Sequence, residues 1–152
     1  MGVLFNIFNS YLNGRLLFTL STPPPPSQFF TSLNFAVGFA MFVSGLLINI
    51  YSDEILIQLR RKKEKTDENL PKSARYKIPQ GGFFKYVSCA NYFGEMLEWL
   101  GFFVITLNIG AFCFVIGTYM NLVPRAYMNH KWYKETFPNY PKERKAVIPF
   151  LF

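Results

Sequence analysis

"YVSCANYFGEMLEWLGFFVITLNIGAFCFVIGTYMNLVP" runs from Tyr86 to Pro124 and carries only two charges in 39 residues, Glu95 and Glu98. Drawn as one helix it would be about 58 Å long, at 1.5 Å per residue. The hydrocarbon core of a bilayer is only roughly 30 Å thick. The stretch therefore reads as two helices joined by a tight turn near Leu107–Gly110, where "LNIG" interrupts the apolar run. A second run, Leu16 to Ser52, holds no charge at all. Within it Phe29–Ile50 supplies 22 residues, about 33 Å of helix, enough for one crossing. Hydrophobic residues make up 51% of the 152, with 18 Phe, which is too apolar and too clustered for an ordinary soluble domain.

The remaining segments follow from these spans. An opening apolar stretch, about Val3 to Leu20, contains Asn6, Asn9, Asn13 and Arg15 and reads as a partial or shallow span. Its start lacks the basic region and small-residue cleavage site of a signal peptide, and Asn6 stands where a myristoylation signal needs Ser or Thr. Ser21–Gln28, "STPPPPSQ", reads as a loop, because proline cannot donate to a helix. Tyr51–Lys77 holds eight basic residues against five acidic ones, and Leu59–Ser73 reads as a solvated loop. From Arg125 the chain is again basic and aromatic, and reads as a tail. One helical hairpin separates the two basic segments, so they share a side, and the positive-inside pattern makes that side cytosolic. The net charge of +7 flanks spans, which points to anionic lipid headgroups rather than nucleic acid. Cys89 and Cys113 fall in apolar segments and read as packing residues. The fold expected is all-α: a polytopic membrane helix bundle of about four membrane helices, one domain over residues 1–152.

Polar residues inside the spans carry the chemistry. Asn91 and Glu95 are four apart and share a helix face, and Glu98 lies seven beyond Asn91. An ionisable group at membrane depth costs roughly 2.5–3.5 kcal/mol on insertion scales, so it faces a cavity or a partner. The alternative is an interfacial helix end where both acids reach water, since Lys85 is only ten residues before Glu95. A second line, Asn49, Asp53 and Arg60, has spacings of four and seven. Amide, carboxylate and guanidinium in a row suit a ligand with hydroxyls and phosphate; an intrahelical ion pair at a helix end fits the same spacing. "YKIPQGGFF", Tyr76–Phe84, is a turn by composition. There is no G-x-G-x-x-G motif and no P-loop. His130 is the single histidine, which excludes a multi-histidine metal site, and it reads as a surface residue.

Three stretches together resemble the C-terminal half of the steroid 5α-reductases, the 3-oxo-5α-steroid 4-dehydrogenases: "LLINIYSDEILIQLR", "YKIPQGGFFKYVSCANYFGEMLEWLGF" and "HKWYKETFPNYPKERKAVIPFLF". The resemblance is tight from Leu46 onward and looser back to Phe8–Arg15. It implies part of a seven-helix, multi-pass enzyme of the endoplasmic reticulum membrane, with the basic loop and tail cytosolic. Its partners would be membrane lipids and a 3-oxo-Δ4 steroid, whose C4–C5 double bond it reduces with hydride from NADPH. By motif, Asn49, Asp53, Arg60, Tyr76, Asn91, Glu95 and Tyr133 match cofactor contacts, with Arg125 a supporting basic residue. Asn91 and Glu95 would face the nicotinamide and ribose end, and Glu98 is left as structural. Asn129 stands where the family often has the first of two histidines, a position that usually contacts cofactor. Ile57 replaces a common basic residue, and the Arg61–Ser73 loop is longer than usual. The Glu–Tyr pair that engages the steroid's 3-oxo group belongs to the N-terminal half of the family fold, which this sequence does not match. No catalytic residue is therefore assigned in this chain. A non-catalytic fragment or isoform that keeps part of the cofactor surface is the alternative from another class. The enoyl-CoA reductases of fatty-acid elongation share the "YP…R…IPF" ending and are the alternative enzyme.

Overall fold

In the computed structural model, which describes residues 2–16, 19, 25–63 and 76–152, the chain is helical. The elements are α1 (Gly2–Arg15), α2 (Pro26–Thr31), α3 (Leu33–Lys63), a 3-10 turn at Gly82–Lys85, α4 (Ala90–Thr106) and α5 (Ile109–Thr136). Among the described residues the only β pairing is an isolated parallel bridge between Val87 and Lys145. Among the described residues two helices are long and apolar enough to cross a membrane, Leu33–Arg61 of α3 and Ile109–Thr136 of α5. The 17 residues of α4 give about 26 Å, and the 14 of α1 about 21 Å.

Three boundaries differ from the sequence reading. The proline loop ends earlier than Gln28, because Pro26 opens α2; residues 21–24 of that loop lie outside the described residues. Proline is well suited to a first turn, where its missing N–H would have no partner anyway and its φ is already helical. The Pro25 carbonyl accepts from the N–H of Gln28 (2.9 Å) and of Phe29 (3.0 Å). Ser32 then separates α2 from α3, with its Oγ accepting from the Phe35 N–H at 3.1 Å. The supposed loop from Leu59 is helical to Lys63, since α3 runs on past Ile50. Residues of that stretch such as Glu54 and Gln58 are good helix formers, and Gln58 Nε2 donates to Glu54 Oε1 at 3.0 Å. The rest of that loop lies outside the described residues. Finally, Arg125–Thr136 is helix, not tail: α5 passes through Pro124. A proline forfeits one i→i−4 bond, and the turns on either side hold.

The break near Leu107–Gly110 is where it was expected. Leu107 has φ 45°, and the Asn108 Oδ1 accepts from the Ala111 N–H at 2.8 Å, capping α5. The amide nitrogen of Asn108 is buried and has no partner among the described residues. Asn108→Ala is expected to cost about 1 kcal/mol, read as a lower thermal midpoint in detergent. Asn108→Ser, which keeps a capping oxygen and removes the orphan donor, is expected to hold the wild-type midpoint.

The chain divides into two compact units, Met1–Gly45 with Met96–Met120 and Leu46–Glu95 with Asn121–Phe152. In the first, Trp99 packs edge-to-face on Phe114 at 4.4 Å, and the Tyr119 hydroxyl donates to the Met96 carbonyl at 3.2 Å. The second is built around Phe84, Val87 and Ala90, packed against Ile55, Leu56 and Phe83. Here the C-terminal segment is stitched to the residues before α4. Lys145 N–H donates to Tyr86 O (2.9 Å), Ser88 N–H to Lys145 O (2.9 Å) and Cys89 N–H to Ala146 O (3.1 Å). Gly81 (φ 97°) and Gly82 (φ 48°) turn the chain into the 3-10 segment, a backbone that residues with a Cβ rarely adopt.

Candidate functional site

The second unit holds a cavity of about 510 Å³, within the roughly 300–1,000 Å³ of small-molecule sites. Four pieces of chain build its wall. The C-terminal end of α3 supplies Leu56, Leu59 and Arg60; the segment before α4 supplies Tyr76 and Lys77; Ser88, Cys89, Asn91 and Tyr92 come from the entry and first turn of α4; α5 supplies Asn129, Trp132 and Tyr133. The wall thus combines two cations, two amides and a cluster of aromatic rings. Trp132 stands edge-on to Tyr76 at 5.3 Å and to Tyr133 at 5.1 Å.

Asn91 is the hub between α3 and α4. Its carbonyl accepts from Asn49 Nδ2 at 3.0 Å, and its own Nδ2 donates to Asp53 Oδ1 at 3.1 Å. The two polar lines read from sequence therefore face each other, and neither is simply a solvated helix end. The first bond ties the Asn91 backbone to α3 and the second orients its side-chain amide, and losing either would leave a partly desolvated polar atom. On α5, Asn129 Nδ2 reaches the Cys89 sulfur at 3.7 Å. Both cysteines are free, Cys89 buried and Cys113 exposed.

Of the residues singled out from sequence, Arg60, Tyr76, Asn91, Asn129 and Tyr133 border the cavity. Asn49 and Asp53 stand behind Asn91 through the bonds just given. Glu95 and Arg125 are not in the wall; Glu95 shares an electrostatic neighbourhood with Asp53 and Arg125. Sequence reasoning missed Lys77, Ser88, Cys89, Tyr92 and Trp132. Lys77 carried a signal, a cation next to Tyr76 in a segment already singled out, but Ser88, Cys89 and Tyr92 are ordinary residues of an apolar stretch and Trp132 is one ring among several in a basic, aromatic one. His130 is a correction. It is 9% exposed and its Nδ1 lies 2.5 Å from Ser88 Oγ, so it is a buried, bonded side chain and not a surface one. A helix face was read as open because nothing nearby in sequence showed the Ser88 segment covering it.

The profile of the 3-oxo-5-alpha-steroid 4-dehydrogenase family matches residues 1–152. The chain belongs to this family. It is 40% identical over 152 residues to 3-oxo-5-alpha-steroid 4-dehydrogenase 1 of Macaca fascicularis, covering 100% of this chain and 54% of that protein. It is 40% identical over 150 residues to steroid 5-alpha-reductase DET2 of Solanum lycopersicum, covering 98% of this chain and 54% of that protein. The 3-oxo-5-alpha-steroid 4-dehydrogenase 2 of Sus scrofa is 40% identical over 151 residues, covering 99% of this chain and 55% of that protein. The chain thus spans about half the length of the curated relatives it matches. For this family the group to test against the cavity is NADPH. The donor set fits it: Arg60 and Lys77 for phosphate oxygens, fixed amides for a carboxamide, and rings for the flat surfaces of the bases.

Proposed function

We propose that this chain holds NADPH for the reduction of the C4–C5 double bond of a 3-oxo-Δ4 steroid, in the endoplasmic reticulum membrane. The observation that supports it most is the cavity in which Arg60, Lys77, Asn91, Asn129 and Tyr133 converge. When bound, NADPH supplies the hydride. The chain's own residues bind and orient. Arg60 and Lys77 meet phosphate charge, and the forked guanidinium does so with directional bonds. Asn91, its backbone tied to Asn49 and its side-chain amide oriented by Asp53, presents an amide to the cavity. Tyr133 and Trp132 limit access of water from one side. The Asp53 carboxylate keeps the Asn91 amide in place. In this reading α3, α4 and α5 lie in the bilayer, and the basic residues at the end of α3 and after α5 are cytosolic. Polarisation of the steroid's 3-oxo group is assigned to no residue of this chain. Because the chain spans half the length of its relatives, a second reading is a cofactor-holding chain without turnover.

The experiment uses membranes expressing only these 152 residues. NADPH binding and NADPH-dependent 5α-reduction of testosterone and progesterone are measured side by side. Binding with turnover supports the enzyme, and binding without turnover the second reading. Failure of a well-folded chain to bind NADPH overturns both. Arg60→Ala is expected to weaken NADPH about tenfold, with a shallower salt dependence, while circular dichroism is unchanged because Arg60 is exposed.

A further inference from the structure

We infer that Ser88, His130 and Tyr140 form one positioning unit that sets where Asn129 and Tyr133 stand in the cavity. The inference rests on the dinucleotide reading and deepens it. Ser88 is 3% exposed, Tyr140 6% and His130 9%. Ser88 Oγ lies 2.5 Å from His130 Nδ1 and 2.6 Å from the Tyr140 hydroxyl, and donates to the Lys145 carbonyl at 3.1 Å. A serine hydroxyl has one hydrogen and two lone pairs. With its hydrogen on the Lys145 carbonyl, both lone pairs take donors, the Nδ1–H of His130 and the O–H of Tyr140. The Ser88 hydroxyl then uses its hydrogen and both lone pairs, and a proton is placed on Nδ1.

Each member of the junction adjoins a residue of the cavity wall. Ser88 precedes Cys89, and His130 follows Asn129, the pair joined by the Asn129–Cys89 contact at 3.7 Å. Tyr133 lies one helical turn beyond His130, and the Tyr140 ring stacks on it at 5.4 Å with 14° between planes. The guanidinium carbon of Arg144 stands 5.5 Å from the Tyr140 ring centre. Its Nη1 donates to the Pro79 carbonyl at 3.1 Å, in the segment that brings Tyr76 and Lys77 to the cavity. Ser88, Asn129 and Tyr133 border the cavity while His130 and Tyr140 do not. His130 and Tyr140 therefore act through other side chains: remove the Ser88 hydroxyl, and both Tyr140 and α5 lose the bond that fixes their register against Cys89.

The test uses the purified 152-residue chain in detergent, titrated with NADPH by fluorescence, with thermal midpoints recorded for every variant. An asparagine places its amide nitrogen where His130 has Nδ1, whereas glutamine reaches towards the Nε2 position. Ser88→Ala, Tyr140→Phe and His130→Gln are each expected to raise the NADPH Kd about tenfold, and His130→Asn to stay within about twofold of wild type. Ser88→Ala combined with His130→Gln is expected to cost no more than either alone, because they break the same unit. His130 is the only histidine, so ¹⁵N-histidine spectra give one residue's signals. They are expected to show a protonated Nδ1 whose shift moves in Ser88→Ala. Equal loss in the Asn and Gln variants, or an unchanged Kd in Ser88→Ala, overturns the inference while leaving wild-type binding intact. Wild type that does not bind NADPH overturns the dinucleotide reading and this inference with it. Should Ser88→Ala fail to fold, the His130 pair decides alone.

Discussion

Gly101→Val is expected to break the packing of α3 against α4 and to cost about 3 kcal/mol or more, the upper end of overpacking effects. A Cβ at Gly101 would meet the Phe42 backbone nitrogen at 2.5 Å and the Gly38 carbonyl oxygen at 2.6 Å. A Cβ at Gly38 would meet the Gly101 carbonyl oxygen and the Ile105 backbone nitrogen, each at 2.7 Å. The obstacle on both sides is main chain. No rotamer change relieves it, so the helices must separate and lose the contacts around them. Against a total stability of about 5–15 kcal/mol, that is a large share. Gly101→Ala is expected to show the same effect more mildly. Gly117→Ala is the internal contrast, because nothing lies within 4 Å of a Cβ there. It is expected to be neutral or slightly stabilising, since alanine is the better helix former. Thermal unfolding in detergent and the monodisperse fraction on gel filtration read all three. Gly101→Val with an unchanged midpoint would show that the close approach is not there.

Asn91→Leu is expected to raise the NADPH Kd about 10- to 100-fold, the size of a lost hydrogen bond to a charged group. The substitution roughly conserves volume and keeps the backbone carbonyl that accepts from Asn49. It removes the donor to Asp53 and an amide from the cavity wall. A reciprocal exchange separates the two roles. Asn91→Asp alone sets a second carboxylate against Asp53 and is expected to lower both stability and binding. Adding Asp53→Asn restores a donor–acceptor pair with its direction reversed. Stability is expected to return while NADPH affinity does not, because the cavity now presents a carboxylate in place of an amide. Full recovery of affinity in the double variant would mean that Asn91 is only a strut between helices.

How far these features were legible varies residue by residue. The turn at Leu107–Asn108 could be placed because a 39-residue charge-poor stretch is about twice what one crossing needs, and Asn108 was the polar residue available to cap the second helix. The end of α3 could not, since Arg60 to Lys63 suit a helix and a loop equally by composition. Periodicity correctly put Asn49 with Asp53, and Asn91 with Glu95, on single faces. It could not say that the first pair would bond to Asn91, and it gave no reason why Glu95 should stand outside the cavity wall.

By itself, then, the amino-acid order determined the helical class and the turn between α4 and α5, and of the about four membrane helices expected it placed two that are long and apolar enough to cross, because those depend on runs and on spacings within a turn or two. The long motifs also sufficed to identify the family. The tertiary structure alone decided the partners of Ser88, 42 residues from His130 and 52 from Tyr140, and the bond from Arg144 to Pro79 across 65. A helix face records only that something polar or apolar covers it; which distant segment does so is settled when the tail pairs with the residues before α4. That pairing buries His130 and brings Tyr140 onto Tyr133, and so it fixes one wall of the cavity.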